Sequence, residues 1–191
     1  MGNHTIEKIG GTSMSRFGEV MNNVIIGSRK GAELYNRVFV VSAYSGITNL
    51  LLEDKKTGEP GVYGFIAKDS RNWPEALEKV RAKMLEYNRS FESIGLDVAD
   101  ADKFVNERID AIRECLKYIM FLRSAGHSKP SEYLPSTREF LAALGEAHSA
   151  YNSVEILKAN GVNARFVDLS GWMSPDIMSL NEDEASSLGM N

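Results

Sequence analysis

The first fifty residues alternate between two kinds of segment, and this alternation limits the fold more than any other feature. Residues 4–9 (HTIEKI) have the short polar–apolar pattern of a strand, which Gly10-Gly11 breaks. Ser13 can cap a helix, and Phe17, Val20, Met21, Val24 and Ile25 then recur at helical spacing. Gly27 and Gly31 close that segment. Residues 37–43 (RVFVVSA) form a short β-branched and aromatic run, the signature of a strand buried on both faces. Tyr44-Ser45-Gly46 reads as a turn, and Ile47, Leu50, Leu51 and Leu52 begin another helix. Strand, glycine turn and helix, twice over, is a βαβα pattern. It places the chain in the α/β class, with parallel strands and helices packed on them.

Further along, the pattern changes. Residues 54–64 (DKKTGEPGVYG) mix Gly and Pro with charge and read as a surface excursion. From 74 to 125 the chain is expected to be helical. Leu77, Val80, Met84, Tyr87 and Phe91 recur every third or fourth residue, as do Val105, Ile109, Ile112, Leu116 and Ile119. Residues 93–101 separate the two stripes, so an antiparallel helical hairpin is predicted. Cys115, beside the second stripe, reads as a core or half-buried thiol rather than a nucleophile. Gly126 to Pro130 breaks the helix, and Pro135, Ser136, Thr137 and Glu139 offer the start of the next. Its apolar face runs from Phe140 through Leu144 and Tyr151 to Leu157, with Asn160-Gly161 as its end. Residues 162–169 (VNARFVDL) alternate and predict a strand. Residues 171–191 have weak periodicity and read as a loosely ordered tail.

Composition removes several classes. The chain has 191 residues, 43% hydrophobic and 25% charged, which is ordinary for one globular domain. A single Cys excludes an internal disulfide framework and a Cys-based zinc site. The three His have no partner pattern, so no metal site and no Ser-His-Asp arrangement is expected. No apolar run approaches the length of a membrane span, and the first residues lack the core of a signal peptide. A net charge of −4 argues against nucleic acid as the partner. A cytoplasmic location follows as the default.

Three segments could carry chemistry. In Lys8-Ile9-Gly10-Gly11-Thr12-Ser13, glycines between a strand and a helix would let backbone N–H groups approach phosphate oxygens, with Lys8 adding a point charge. The Lys precedes the glycines, so this is not a Walker A loop, and a plain strand–helix turn is the competing reading. Ser42-Ala43-Tyr44-Ser45-Gly46-Ile47-Thr48 lies at the carboxyl end of the second strand, where open parallel sheets bind ligands. Simple capping of the next helix by Ser45 is the alternative. In Gly145-Glu146-Ala147-His148-Ser149, a mid-helix Gly costs about 1 kcal/mol relative to Ala, which points to close packing. Glu146, at the edge of the apolar face, would suit a ligand ammonium, or would simply be solvated. His148 reads as a satisfied core-edge histidine.

Taken together, these segments resemble the aspartate kinases. Residues 8–13 (KIGGTS) look like their KFGGTS signature, residues 40–51 (VVSAYSGITNLL) like their second-strand segment, and Gly145-Glu146 with Ser149 like their helical GE motif. Residues 162–168 resemble the strand that follows, and KKTGEPGVY at 55–63 resembles the branch associated with ectoine synthesis. The resemblance covers residues 4–170. It implies an α/β, parallel-sheet sandwich of the amino-acid-kinase type, with the helical excursion at 74–125 as an insertion. It also implies ATP-dependent phosphorylation of the β-carboxylate of L-aspartate, with Mg2+ as cofactor. By position, Lys8 would be catalytic and touch the transferring phosphates, and Gly10 and Gly11 would lie against the phosphate chain. Ser42, Ala43 and Thr48 would hold aspartate, and Glu146 would bind its ammonium. Ile9 stands where the family has Phe.

The family's GRGGSD-type and TDVPG-type segments and its regulatory modules are absent from these 191 residues. The expectation is therefore an incomplete sandwich: residues 1–170 as the N-terminal lobe of the kinase domain, a fragment inactive alone. A homodimer would need a surface other than the regulatory modules. Two other readings stay open. One is an amino-acid kinase acting on a different carboxylate or carbamate. The other is a non-catalytic helical module binding through the 74–125 seam.

Overall fold

The computed structural model describes residues 4–170. Two short strands, β1 (Thr5–Ile9) and β2 (Arg37–Val41), pair in parallel, with Thr5 opposite Arg37 and Ile9 opposite Val41. Parallel strands need a crossover, and the chain between them supplies it in broken pieces. These are α1 (Gly11–Met14), α2 (Phe17–Val20), a π-helical turn at Met21–Ile26 and a 3-10 turn at Gly31–Leu34. The single helix predicted here is thus interrupted at Ser15 and Arg16. Phe17, Val20, Met21 and Ile25 still point into the core, whereas Val24 is exposed.

The remaining helices are α3 (Ile47–Leu51), α4 (Val62–Ala67), α5 (Trp73–Ser90), α6 (Val98–Ser124) and α7 (Pro130–Ala159). Among the described residues the protein is mostly helical, and its two-stranded parallel sheet is compatible with the α/β class. The hairpin of α5 and α6 forms as its stripes predict. Leu77, Val80, Met84, Val105, Ile109, Ile112 and Leu116 are all buried, so the seam is filled by the protein's own core. Asp97 caps α6 by accepting N–H bonds from Ala99 and Asp100.

Several expectations are corrected. Helix α4 starts inside the supposed surface loop, because Val62 and Ile66 are needed in the core. Helix α7 begins at Pro130, where the missing N–H is harmless, and Pro135 is accommodated within the helix. Cys115 is exposed on α6, pointing away from the stripe beside it. Strand β2 is not buried on both faces: Val38 and Val40 are about half exposed, and Ile6 of β1 is 76% exposed on the same face.

Residues 162–169 form no strand. They are extended, and inward and outward residues alternate, with Val162, Ala164, Phe166 and Asp168 turned in. Among the described residues no ladder pairs them, and side chains hold them instead. Arg108 of α6 binds Asp168, and Phe166 meets Phe104 and Tyr151 edge-on at 6.0 and 5.9 Å. The tail expected at 171–191 lies outside the described residues.

Candidate active site

The candidate residues gather where β1 and β2 end. Strand β1 stops at Ile9, Gly10 occupies the cap position in extended backbone, and α1 starts at once. Ser13 therefore lies within α1 and is not its cap. The two glycines differ. A Cβ at Gly10 would meet nothing within 4 Å, so this backbone is open to an approaching group. A Cβ at Gly11 would lie 2.5 Å from the Ala43 carbonyl oxygen, so Gly11 is the point where the two loops touch. Lys8 sits opposite Val40 on the open face of the sheet, with its side chain exposed.

The loop from β2 to α3 is held at every turn. Ser149 of α7 donates its hydroxyl to the Ser42 carbonyl at 2.9 Å. Ala43 is buried between Gly11 and Gly145, where an added Cβ would come within 2.9 Å of the Ala43 Cβ and 3.0 Å of Ile47 Cγ2. This explains the mid-helix glycine: α7 must approach this loop closely. The Ser45 N–H donates to Ser15 Oγ at 2.8 Å, and the Tyr87 hydroxyl donates to the Ser45 carbonyl at 2.8 Å. Ser15 Oγ and Tyr87 Oη are themselves 3.1 Å apart. Gly46, with φ +83°, takes the left-handed turn that starts α3, so Ser45 caps nothing. Thr48 is exposed in the first turn of α3.

Glu146 follows Gly145 and is solvent-facing. Its surroundings raise its pKa by partial desolvation, and the positive charge of Lys8 acts in the opposite direction. The two groups thus share one electrostatic environment. One cation and one anion, carried by β1 and α7, stand over a clamped loop of small and hydroxylic residues. Such an arrangement can receive a zwitterion beside a phosphate.

Below the loop lies a polar network that the sequence did not reveal. Tyr44 is buried, stacked on Tyr87 at 4.6 Å and against the edge of His148 at 5.2 Å. His148 Nε2 lies 2.7 Å from Asn88 Oδ1, which also accepts from Asn152 at 2.8 Å, and Asn88 donates to Asp102 at 2.8 Å. Complete burial lowers the His148 pKa from 6.5 to about 3, so the ring is a neutral strut rather than an acid or base. This agrees with its reading as a core histidine.

The structure brings Lys8, Gly11, Ser42, Ala43 and Glu146 to one end of the sheet, with Gly10 and Thr48 exposed at its rim. It adds Ser15 and Tyr87 as the loop's braces. Tyr87 belongs to a helical stripe that reads as core, and nothing in that spacing marks its hydroxyl.

In sequence the chain is a relative of the aspartate kinases. It is 57% identical over 171 residues to the aspartate kinase Ask_Ect of Stutzerimonas stutzeri (strain A1501), a match covering 88% of this chain and 36% of that protein. The chain thus spans about a third of that relative's length. No family model and no solved structure matches it. No helix among the described residues is long and apolar enough to cross a membrane.

Proposed function

We propose that this chain carries the aspartate-facing and phosphate-facing residues of an aspartate kinase, within an amino-acid-kinase sandwich. The reaction is ATP-dependent phosphorylation of the β-carboxylate of L-aspartate to 4-phospho-L-aspartate. The observation that carries the reading is the shared environment of Lys8 and Glu146 over the clamped Ser42-Ala43 loop. Glu146 takes the substrate ammonium, while Ser42, Ala43 and Thr48 hold the rest of the amino acid. A carboxylate oxygen attacks the γ-phosphorus as the bond to the bridging oxygen breaks, and ADP leaves. The nucleophile is already ionised at pH 7, so no general base is needed. Catalysis is then positioning and charge stabilisation.

Lys8 and the open backbone at Gly10 fit a phosphate group. Among the described residues no three acidic, His or Cys side chains cluster, and a magnesium ion commonly binds through one or two carboxylates together with the phosphates themselves. Mg2+ would enter with ATP, whose phosphate charge it would offset. The ectoine-associated branch is supported by the loop at 55–63 and by the name of the Stutzerimonas relative.

Replacing Lys8 by Ala at the matching position of the full-length relative tests the assignment. Loss of a contact to the transferring phosphoryl group is expected to lower turnover by about a hundredfold or more, and near-normal turnover would sink it. The 191 residues alone are expected to release no ADP in an aspartate-dependent assay, since the GRGGSD-type and TDVPG-type segments are not among them. Clear activity of the chain by itself would overturn that second expectation.

A further inference from the structure

Tyr87 of α5 meets the loop between β2 and α3 at a point where the loop itself has two choices. Residues 44–47 form a β-turn, closed by the Ile47 N–H donating to the Tyr44 carbonyl at 3.1 Å. Gly46, third in the turn, has φ +83° and ψ −19°, and Ser45 before it keeps a negative φ, which makes the turn type II. Type I differs by rotation of one peptide, the one between Ser45 and Gly46, and it leaves the closing bond in place. Glycine populates positive and negative φ about equally, so neither Gly46 nor the closing bond selects between the two forms. A Cβ at Gly46 would meet nothing within 4 Å, so close packing does not select either.

The selecting contact comes from α5. The Tyr87 hydroxyl donates to the Ser45 carbonyl at 2.8 Å, and this is the oxygen that the rotation would carry away. Tyr87 is itself fixed, its ring stacked on Tyr44 with centroids 4.6 Å apart. Ser15 completes the arrangement. It accepts the Ser45 N–H at 2.8 Å, and its own hydroxyl donates to the Gly11 carbonyl at 3.1 Å. Each hydroxyl has one proton, so Tyr87 serves the Ser45 carbonyl and Ser15 serves the Gly11 carbonyl. The substrate's chemistry gives the selection its meaning. Ser45 and Gly46 are exposed between Ser42 and Thr48. Rotated, the Ser45 carbonyl oxygen would leave Tyr87 for that exposed side and set a partial negative charge before a substrate with two carboxylates.

We propose that Tyr87 is a positioning residue for aspartate: its hydroxyl holds the Ser45–Gly46 peptide in the form that admits a dicarboxylate, with Ser15 as its partner. This rests on the reading of residues 42–48 as the aspartate loop. Tyr87 acts through the backbone of that loop and not through the substrate. Only one of the two loop forms then binds, and apparent affinity scales with the fraction of the protein in that form. Loss of the hydroxyl lowers the fraction and leaves the groups that hold aspartate in place.

The test is an NMR titration of the 191-residue chain with L-aspartate, in the wild type, Tyr87→Phe, Gly46→Ala and the double variant. Tyr87→Phe keeps the ring stack and deletes only the hydroxyl, whereas Gly46→Ala disfavours the positive φ without a clash. In Tyr87→Phe without ligand, the Ser45 and Gly46 amide signals should move or double while those of α6 stay in place. Aspartate affinity should fall about threefold to tenfold, the range that one hydrogen bond gives. Saturating aspartate should return both signals to their wild-type bound positions. Gly46→Ala should weaken binding further. Adding Tyr87→Phe to it should change affinity by less than about twofold, because the form that the hydroxyl selects is already vacated. A Tyr87 that only supports the fold would instead give losses that multiply. Unchanged affinity in Tyr87→Phe, or multiplying losses in the double variant, would overturn the proposal and leave the aspartate site standing. A wild-type chain with no response to aspartate would overturn the reading of the site, and this proposal with it.

Discussion

Strand β2 has an end and an edge that are treated in opposite ways. Its carboxyl end runs into a loop that Ser15, Tyr87 and Ser149 bind from three directions and that Gly11 and Gly145 approach at backbone distance. Its outer edge faces a cavity, and the next extended segment stands across that cavity unpaired. The helices account for the difference. Helices α5 and α7 pack onto α3 and the loop before it, so the site's support is internal to these residues. Nothing among the described residues supplies the backbone partner that the sheet edge needs.

If that contrast is right, substitutions at the clamped end should cost more than those at the open edge. The largest effect is expected for Gly11→Ala. Its Cβ would strike the Ala43 carbonyl oxygen, and overpacking of this kind costs about 1–3 kcal/mol. Urea unfolding should show the loss, together with impaired aspartate binding. Gly10→Ala, with open space for its Cβ, should leave stability nearly unchanged. Equal losses at the two glycines would break the comparison.

The second effect is a pH dependence. His148 has a native pKa of about 3 against an ordinary value of 6.5, so the unfolded chain binds a proton that the native one refuses. Stability should fall as pH drops from about 6.5 toward 3. Between pH 6.5 and 5, above the ordinary carboxylate range, urea midpoints should decline in the wild type and flatten in His148→Gln. A wild-type protein with no decline in that window would remove His148 from the buried network.

A smaller loss, about 1 kcal/mol, is expected for Tyr87→Phe, which deletes the hydroxyl that satisfies the Ser45 carbonyl but keeps the ring stack on Tyr44. Val167→Thr, on the exposed side of the unpaired segment, should change stability by less than about 0.5 kcal/mol. If it costs more than Tyr87→Phe, the edge is not open in solution.

The sequence made the clamped end legible and the open edge only half so. Gly145 announced close packing because a glycine inside a good helix needs a reason, and Ala43, Ile47 and Leu51 are that reason. The α5 and α6 stripes were readable because two sides of each helix differ in polarity. The break in the first helix was not, since it depends on Ser15 turning to Ser45, a contact thirty positions away. Helix α4 was hidden by Gly58, Pro60, Gly61 and Gly64, two of which are there for close approach: added Cβ atoms at Gly61 and Gly64 would meet the Leu50 carbonyl oxygen at 2.4 Å and Pro60 at 2.8 Å. At 162–169 the period of two was real, but periodicity records which side faces inward and not whether a neighbour completes the ladder.

The most direct test of the central claim is an NMR titration of the 191-residue chain with L-aspartate, repeated with Glu146→Gln. Shifts are expected at the amides from Ser42 to Thr48 and at Glu146. Binding should weaken as the medium is acidified, beginning at a higher pH than an ordinary glutamate would give, because burial raises the Glu146 pKa. Glu146→Gln should abolish the response. Shifts confined to the cavity between β2 and residues 162–167, or an undiminished response in Glu146→Gln, would contradict the assignment of this loop as the aspartate site.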